Sequence, residues 1–208
     1  MTESFHAGIL RFWELALHLK YLRRQGWIDR GVQHPESDAD HSWGVGLLSW
    51  LLAADQPHLN RDRVLLLGIV HDLPEAQAGD ATPFDSLRAD NGRIPMTHLQ
   101  RMPEWTAEAR AAKERREREA LERMVTVLPQ ALAHEVRAAW EEYEAGETAE
   151  AQFVQQVDKL ETLLQAEAYH AQQPEITIES FRLGSARDVT HPGVRPLLRL
   201  LQQSDPTT

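Results

Sequence analysis

The sequence predicts an all-α protein that forms a single domain over residues 1–208. Apolar side chains recur at spacings of three and four along several segments, as they do on the buried face of a helix. Proline and glycine separate these segments, and no stretch shows the apolar and polar alternation of a convincing strand. A chain of 208 residues is long enough to build one sizeable core.

The helices are predicted from these patterns in chain order. Segment 5–22 is amphipathic, and segment 41–54 is apolar on most faces, which is typical of a central helix. Ser37 and Asp38 are the candidate N-caps of this central helix. Its two glycines, Gly44 and Gly46, are interpreted as allowing close helix packing. The remaining predicted helices are residues 61–78, 106–128, 129–143 and 148–170, followed by one or two short closing helices.

Two segments depart from simple amphipathic patterns. Residues 84–104 form a long loop in this prediction, because Asn91-Gly92, Pro95 and Pro103 interrupt any regular element. A connection of this length is either a functional lid or partly disordered, and both interpretations remain open. The charge run at residues 113–119 mixes both signs, so it is predicted to be a solvated helix face rather than a nucleic-acid patch.

Composition excludes several classes of protein. The chain has no cysteine, which rules out disulfide scaffolds, thiolate metal sites and cysteine nucleophiles. Its net charge is −10, so attraction to a nucleic-acid polymer or an anionic membrane is not expected. No stretch approaches the roughly 18 consecutive apolar residues of a membrane span, and no signal peptide is recognisable. We therefore expect a cytoplasmic protein that acts on a small phosphate compound.

The stretch Gly68–Pro83 carries the strongest chemical signal. An apolar run at residues 64–67 leads into His71 and Asp72, and Glu75 follows one helical turn later. Unpaired polar groups are costly to bury, so this pattern indicates paired groups or a metal site. Adjacent helical residues point about 100° apart, so His71 and Asp72 reach one ion only if it lies over the edge between them. Pro74 is expected to sharpen the end of this helix.

Two further side chains are candidates to complete a metal site. His41 lies in the opening turn of the central helix, and Asp158 lies beside the apolar stripe of the last long helix. A lone helical histidine is more often a packing residue, and a lone aspartate is often a cap, so neither carries weight alone. Two imidazoles and two carboxylates together suit borderline divalent ions such as Mn, Fe, Co, Ni or Zn. Such a site leaves open positions for a water and a substrate oxygen.

These residues and their surroundings resemble a known family. The order His41, His71-Asp72, Asp158 is similar to the H…HD…D signature of the HD-domain metal-dependent phosphohydrolases. Residues 35–42, residues 71–83 and residues 140–159 resemble more specifically the 5′-deoxynucleotidase group of that family. The resemblance covers about residues 10–200 and implies a single HD-domain helical bundle.

The resemblance implies an activity, the hydrolysis of deoxyribonucleoside 5′-monophosphates to deoxynucleoside and phosphate. It implies that a divalent metal ion (Mn, Co, Fe, Ni, Zn or Mg) is held by His41, His71, Asp72 and Asp158. The ion would polarise the phosphate and lower the pKa of the attacking water. Glu75 would align or activate that water, or protonate the leaving 5′-oxygen. The resemblance also implies a homodimer.

Three residues are implied to contact the substrate, each with an alternative. Arg24 would bind the phosphate, although Arg30 is a rival for this role. Trp27 would exclude a 2′-hydroxyl by its bulk, or it is a packing residue at a helix end. Asp80 would accept a hydrogen bond from the 3′-hydroxyl, or it caps the following turn.

Two other functions stay open from the sequence. The same metal site could act on another phosphomonoester, a cyclic nucleotide or an alarmone, and the match at Gly79–Pro83 argues against this. The chain could also be a non-catalytic helical interaction module with a vestigial metal site. Retention of all four predicted ligands together with Glu75 argues against that second alternative.

Overall fold

The computed structural model describes residues 2–102 and 104–203, and the predicted break at Pro103 lies outside them. Within these residues the protein is helical and has no strand, which confirms the all-α prediction. An isolated antiparallel bridge joins Arg23 and Ser37. No helix in the described ranges is long and apolar enough to cross a membrane. The α-helices are α1 (Thr2–Ala16), α2 (Gln25–Ile28), α3 (Asp38–Leu52), α4 (Arg61–Val70), α5 (Glu75–Ala78), α6 (Met96–Leu99), α7 (Ala107–Val125), α8 (Gln130–Ala145), α9 (Ala149–Gln172), α10 (Glu179–Asp188) and α11 (Arg195–Gln203).

Helix α9 is the buried centre of the fold. Phe153, Val154, Val157 and Leu160 are all fully buried along it. Helix α3 was expected to be central, and that prediction is wrong for one of its faces, because Trp43 is 64% exposed. The apolar residues of α3 divide between a core face and an outer face.

Glycines bring α3 and α4 into close contact. A Cβ atom at Gly68 on α4 would lie 2.7 Å from the Cα of Gly46 on α3, so only glycine allows this approach. The interpretation of Gly46 as a packing glycine is therefore confirmed. Helix α3 begins at Ser37, whose side chain accepts from Asp40 N while the Asp40 carboxylate accepts from Ser37 N. This capping box fixes the helix start next to His41.

The predicted helix over residues 61–78 is broken in two. Helix α4 ends at Val70 and α5 begins at Glu75. Pro74 has no amide proton to donate to Val70 O, and its ring would clash with that carbonyl. Hydrogen bonds between residues only three apart, from Leu73 N to Val70 O and from Glu75 N to Asp72 O, span the break. His71 and Asp72 therefore lie in a turn at the end of α4, not inside a continuous helix.

Residues 84–102 are folded rather than structureless. They contain a 3₁₀ turn, Asp85–Leu87, and the short helix α6. Phe84, Ile94 and Leu99 pack into a small separate core. The Arg88 guanidinium bonds both carboxylate oxygens of Asp29, at 2.8 and 3.1 Å, and so ties this segment to the end of α2. Partial disorder was one interpretation of this segment, but its described residues form a packed connection.

Candidate metal centre

Four predicted ligands converge from three parts of the fold. His41 comes from α3, His71 and Asp72 from the turn after α4, and Asp158 from α9. His41 Nε2 lies 3.3 Å from His71 Nε2 and 3.2 Å from Asp158 Oδ1. Asp72 Oδ2 lies 3.2 Å from His71 Nε2 and 3.7 Å from His41 Nε2. We call these four residues the imidazole cluster.

Hydrogen bonds at the outer nitrogens define how both imidazoles face the cluster. His71 Nδ1 donates to Gly68 O at 2.8 Å, because a carbonyl oxygen can only accept. His41 Nδ1 bonds Glu161 Oε2 at 2.6 Å. In the neutral rings, each Nε2 is therefore an unprotonated nitrogen, and the two lone pairs face each other across 3.3 Å.

The cluster attracts positive charge at His41 Nε2. Burial and the nearby Arg24 disfavour the imidazolium of His41. The hydrogen bonds to Asp158 and Glu161 outweigh both and raise the pKa of His41 to about 10. With this pKa, His41 Nε2 binds a proton at neutral pH, and a divalent ion could take the place of that proton between the two nitrogens and the carboxylates. The donor set therefore fits a metal ion.

Cationic side chains keep both carboxylates of the imidazole cluster ionised. Burial opposes ionisation of Asp72, yet the two imidazoles and Arg24 hold its pKa well below the usual range. Burial likewise opposes ionisation of Asp158, and Lys159 Nζ, 2.8 Å from Oδ2, outweighs it. Both carboxylates are thus charged and ready to bind a cation.

Glu161 is a further candidate site residue that the sequence pattern alone did not identify. Its carboxylate fixes the ring of His41, as carboxylates commonly do behind metal-binding histidines. The signal was present, since Glu161 follows Asp158 by three residues and so shares its helix face. Gly44 makes room for it, because a Cβ there would lie 2.4 Å from Glu161 Oε1. Glycine is thus favoured at position 44 because the Glu161 carboxylate of α9 approaches α3 closely there.

A second group of three acids, two of them buried, adjoins the first. One carboxylate oxygen from each of Asp38, Glu75 and Asp80 lies within 4.8 Å of the others, and we call these three residues the carboxylate cluster. Both Asp38 oxygens and Glu75 Oε2 are buried and have no hydrogen-bond partner among the described residues. Burial, with repulsion from Asp80 and Asp72, raises the pKa of Asp38 to about 8. This group could also hold a cation, or it could receive donors from a substrate.

The charged helix α7 reaches into this second cluster. Lys113 Nζ lies 3.3 Å from Glu75 Oε1 and also pairs with Glu117. Glu117 is only 2% exposed, so the prediction that the whole charge run is solvated is wrong for these two positions. Burial and the neighbouring Asp72 and Asp80 raise the pKa of Glu75, and Lys113 opposes that rise.

The predicted substrate residues lie in different environments. Arg24 donates to Asp72 Oδ2 at 3.0 Å and so belongs to the site. Its rival Arg30 lies elsewhere, bonded to Gly26 O and Ser180 Oγ. Asp80 Oδ2 accepts from Gln25 N at 2.6 Å, so it binds the start of α2 and not the turn that follows it.

Trp27 is a packing residue in this structure. Its ring is 1% exposed and contacts Tyr169 and Phe181, with centroid distances of 5.1 and 4.7 Å. Its Nε1 donates to Glu36 Oε1 at 2.9 Å. Direct contact between this indole and a sugar C2′ is therefore not supported, because the ring has no free face.

Similarity to known proteins extends over most of the chain. The family described as HD domain matches residues 16–194. The protein named 5′-deoxynucleotidase HDDC2 from Bos taurus is 34% identical, over 94% of this chain and 84% of its own length. The protein of the same name from Homo sapiens is 32% identical, over 97% of this chain and 89% of its own.

Solved structures share the fold. A Magnetospirillum magnetotacticum protein described as a predicted metal-dependent phosphohydrolase is 27% identical, with a TM-score of 0.65 over 98% of this chain and 95% of that one. A Pyrococcus horikoshii protein is 25% identical, with a TM-score of 0.64 over 93% of this chain and 98% of that one. By its matching family, its fold and its relatives, this chain belongs to the HD domain family.

Proposed function

We propose that this protein is a metal-dependent 5′-deoxynucleotidase, which hydrolyses deoxyribonucleoside 5′-monophosphates to deoxynucleoside and phosphate. The observation that carries the proposal is the convergence of two imidazole Nε2 atoms and two ionised carboxylates beside the partly buried Arg24. Relatives named 5′-deoxynucleotidase that match nearly the whole chain support the substrate class.

The imidazole cluster would hold the divalent ion. When bound, the ion supplies Lewis-acid polarisation of the phosphate and a lowered pKa for the attacking water. Mn, Co, Fe, Ni, Zn and Mg all remain candidates. Glu161 fixes the ring of His41, whose Nε2 would then bind the ion, and Lys159 keeps Asp158 ionised.

Arg24 is suited to bind the substrate phosphate. Its NH1 donates to Asp72, and its other guanidinium donors, which have no acceptor among the described residues, can bond phosphate oxygens. Its charge compensates the phosphate at a site that also contains the carboxylates of Asp72 and Glu75. Asp80 lies close enough to Arg24 to favour the charged form of the guanidinium. The Asp80 carboxylate oxygen that does not accept from Gln25 N can accept a hydrogen bond from the sugar 3′-hydroxyl.

Glu75 is suited to move the proton. As its carboxylate accepts a proton from water, the water oxygen forms a bond to phosphorus and the bond from phosphorus to O5′ breaks. The protonated carboxyl then returns that proton to O5′, so that deoxynucleoside and phosphate leave. Its buried, unpartnered Oε2 is the atom available for this exchange.

Trp27 acts on the substrate only indirectly in this proposal. Its hydrogen bond to Glu36 and its packing against Tyr169 and Phe181 hold the α2 region that presents Arg24. Preference for a deoxy sugar would then come from the closeness of the backbone at Gln25 to Asp80.

We further propose that the protein acts as a cytoplasmic homodimer of single-domain chains over residues 1–208. The family match at 16–194 and the large shared core support one domain. The outer face of α3 and α4 supports association with a second copy, since uncharged apolar side chains there remain exposed. These are Trp43, Leu47, Leu51, Leu65, Leu66 and Ile69.

The activity is tested by phosphate release from deoxyribo- and ribonucleoside 5′-monophosphates. The protein is stripped with a chelator and reloaded with Mn, Co, Mg or Zn. We expect metal-dependent release that favours deoxy substrates. Release from neither sugar type with any metal would overturn the proposal, and equal release from both would overturn its sugar preference.

A further inference from the structure

A cavity of about 450 Å³ lies beside Glu75 and Gly79. Its volume falls within the range of about 300–1,000 Å³ typical of small-molecule sites. Because it shares Glu75 with the carboxylate cluster, it adjoins the proposed reaction site. Its remaining lining residues are His18, Tyr21, Leu22, Ala76 and Gln77.

The lining does not suit a phosphate. It contains an acid, Glu75, and neither lysine nor arginine among the described lining residues. Leu22 and Ala76 supply an apolar floor, while His18 and Gln77 supply hydrogen-bond donors and acceptors. Apolar surface with a few neutral hydrogen-bonding groups suits a planar heteroaromatic ring.

Two side chains of the cavity are free to engage a ligand. Tyr21 is 73% exposed, so one large aromatic face is uncovered. Gln77 Nε2 makes only long contacts, 3.5 Å to Leu15 O and 3.4 Å to His18 Nδ1. Contacts of that length are weak, so the amide can turn to a ligand at little cost.

We propose that this cavity is the nucleobase subsite, in which Tyr21 stacks on the base and Gln77 bonds its edge. The inference rests on the proposed function, since Arg24 and the imidazole cluster take the phosphate. Leu22 is close to Arg24 in the chain, and Gly79 directly precedes Asp80. The cavity thus shares Glu75 with the carboxylate cluster and is lined by chain neighbours of Arg24 and Asp80.

Kinetics with and without a base test the subsite. We compare Tyr21→Ala, Tyr21→Phe and Gln77→Ala on dAMP, dCMP and the base-free 2-deoxyribose 5-phosphate. Stacking on an exposed ring predicts a KM for dAMP about five- to tenfold higher in Tyr21→Ala. Tyr21→Phe keeps the ring and the wild-type KM. Gln77→Ala changes the ratio of the KM values for dAMP and dCMP.

The base-free substrate separates the subsite from a general effect. KM for 2-deoxyribose 5-phosphate should stay unchanged in all three variants, as should kcat for every substrate. The control Trp13→Ala, which removes an aromatic ring 53% exposed on α1, should change neither KM. If Tyr21→Ala leaves the KM for dAMP unchanged, or raises both KM values equally, the inference is overturned.

Failure of the proposed function has a different signature. In that case the wild type releases phosphate from no deoxynucleotide. Calorimetric titration with deoxyadenosine then tests the subsite alone. Binding to the wild type that is weakened in Tyr21→Ala supports the subsite, and no binding to the wild type overturns it.

Discussion

The two buried polar clusters of this protein differ in how far their hydrogen bonds are satisfied. In the imidazole cluster, both Nδ1 atoms have partners, and Lys159 and Arg24 pair with the two carboxylates. In the carboxylate cluster, both Asp38 oxygens and Glu75 Oε2 have no partner among the described residues.

This difference suits the first cluster to holding a metal ion and the second cluster to taking part in the reaction. Groups whose outer atoms are fixed present their inner atoms in one geometry, which is what a metal site requires. Buried carboxylates without partners have raised pKa values, which suits groups that must exchange protons or accept bonds from a substrate. We therefore expect substitutions in the first cluster to remove the metal and substitutions in the second to slow the reaction.

The largest effect is expected for Asp72→Ala. This change removes a ligand and leaves Arg24 without its partner, so activity should fall on the order of a thousandfold or more. Metal content, measured by mass spectrometry after dialysis, should fall with it. Asp90→Ala, at an exposed carboxylate, is the matched control and should retain both.

Glu75→Gln should separate the clusters most sharply. Loss of the proton-exchanging carboxylate predicts a kcat about 10²–10⁴-fold lower, with the metal content of the wild type. The exposed Glu114→Gln on α7 serves as control. A parallel loss of metal in Glu75→Gln would show that Glu75 holds the ion, and the division of roles would then be wrong.

Glu161→Gln tests whether the hydrogen bond between Glu161 and His41 Nδ1 orients the imidazole for metal binding. Metal affinity should weaken about 10- to 100-fold, as is typical when a carboxylate behind a ligand is replaced. Gly44→Ala should weaken it similarly, because the added Cβ displaces Glu161. Calorimetric Mn titration measures both, and Glu167→Gln on the same helix is the control. Unchanged Mn affinity in both variants would leave Glu161 without a role at His41.

The smallest effect is a shift in pH dependence for Lys113→Met. Burial raises the pKa of Glu75, and Lys113 opposes this rise, so removing the lysine should raise that pKa further. If Glu75 works as an ionised base, the acidic limb of kcat/KM should move to higher pH. The exposed Lys20→Met should leave the limb in place. A limb that moves to lower pH would contradict the assigned protonation state.

The helices and the imidazole cluster could be predicted from sequence because each leaves a local pattern. Periodic apolar residues predicted α9, and the order of histidine and aspartate predicted ligands that the fold does bring together. Packing and substrate contact were both open for Trp27, and the sequence could not decide between them because its partners Tyr169 and Phe181 lie far along the chain.

The burial of charged residues is a second feature that the sequence did not predict. Lys113 lies in a stretch that reads as solvated, and its burial depends on how α7 packs on α5. The outer face of α3 was likewise hidden, since an apolar helix looks the same in sequence whether a core or a second chain covers it. Long-range packing decided both cases.

The imidazole cluster, and not the carboxylate cluster alone, is proposed to hold the metal. The most direct test is anomalous diffraction at the Mn edge from crystals soaked in Mn²⁺. We predict an anomalous peak among His41, His71, Asp72 and Asp158 that is absent in Asp72→Ala. No peak among these four side chains at saturating Mn²⁺, or a peak only among Asp38, Glu75 and Asp80, would contradict the account.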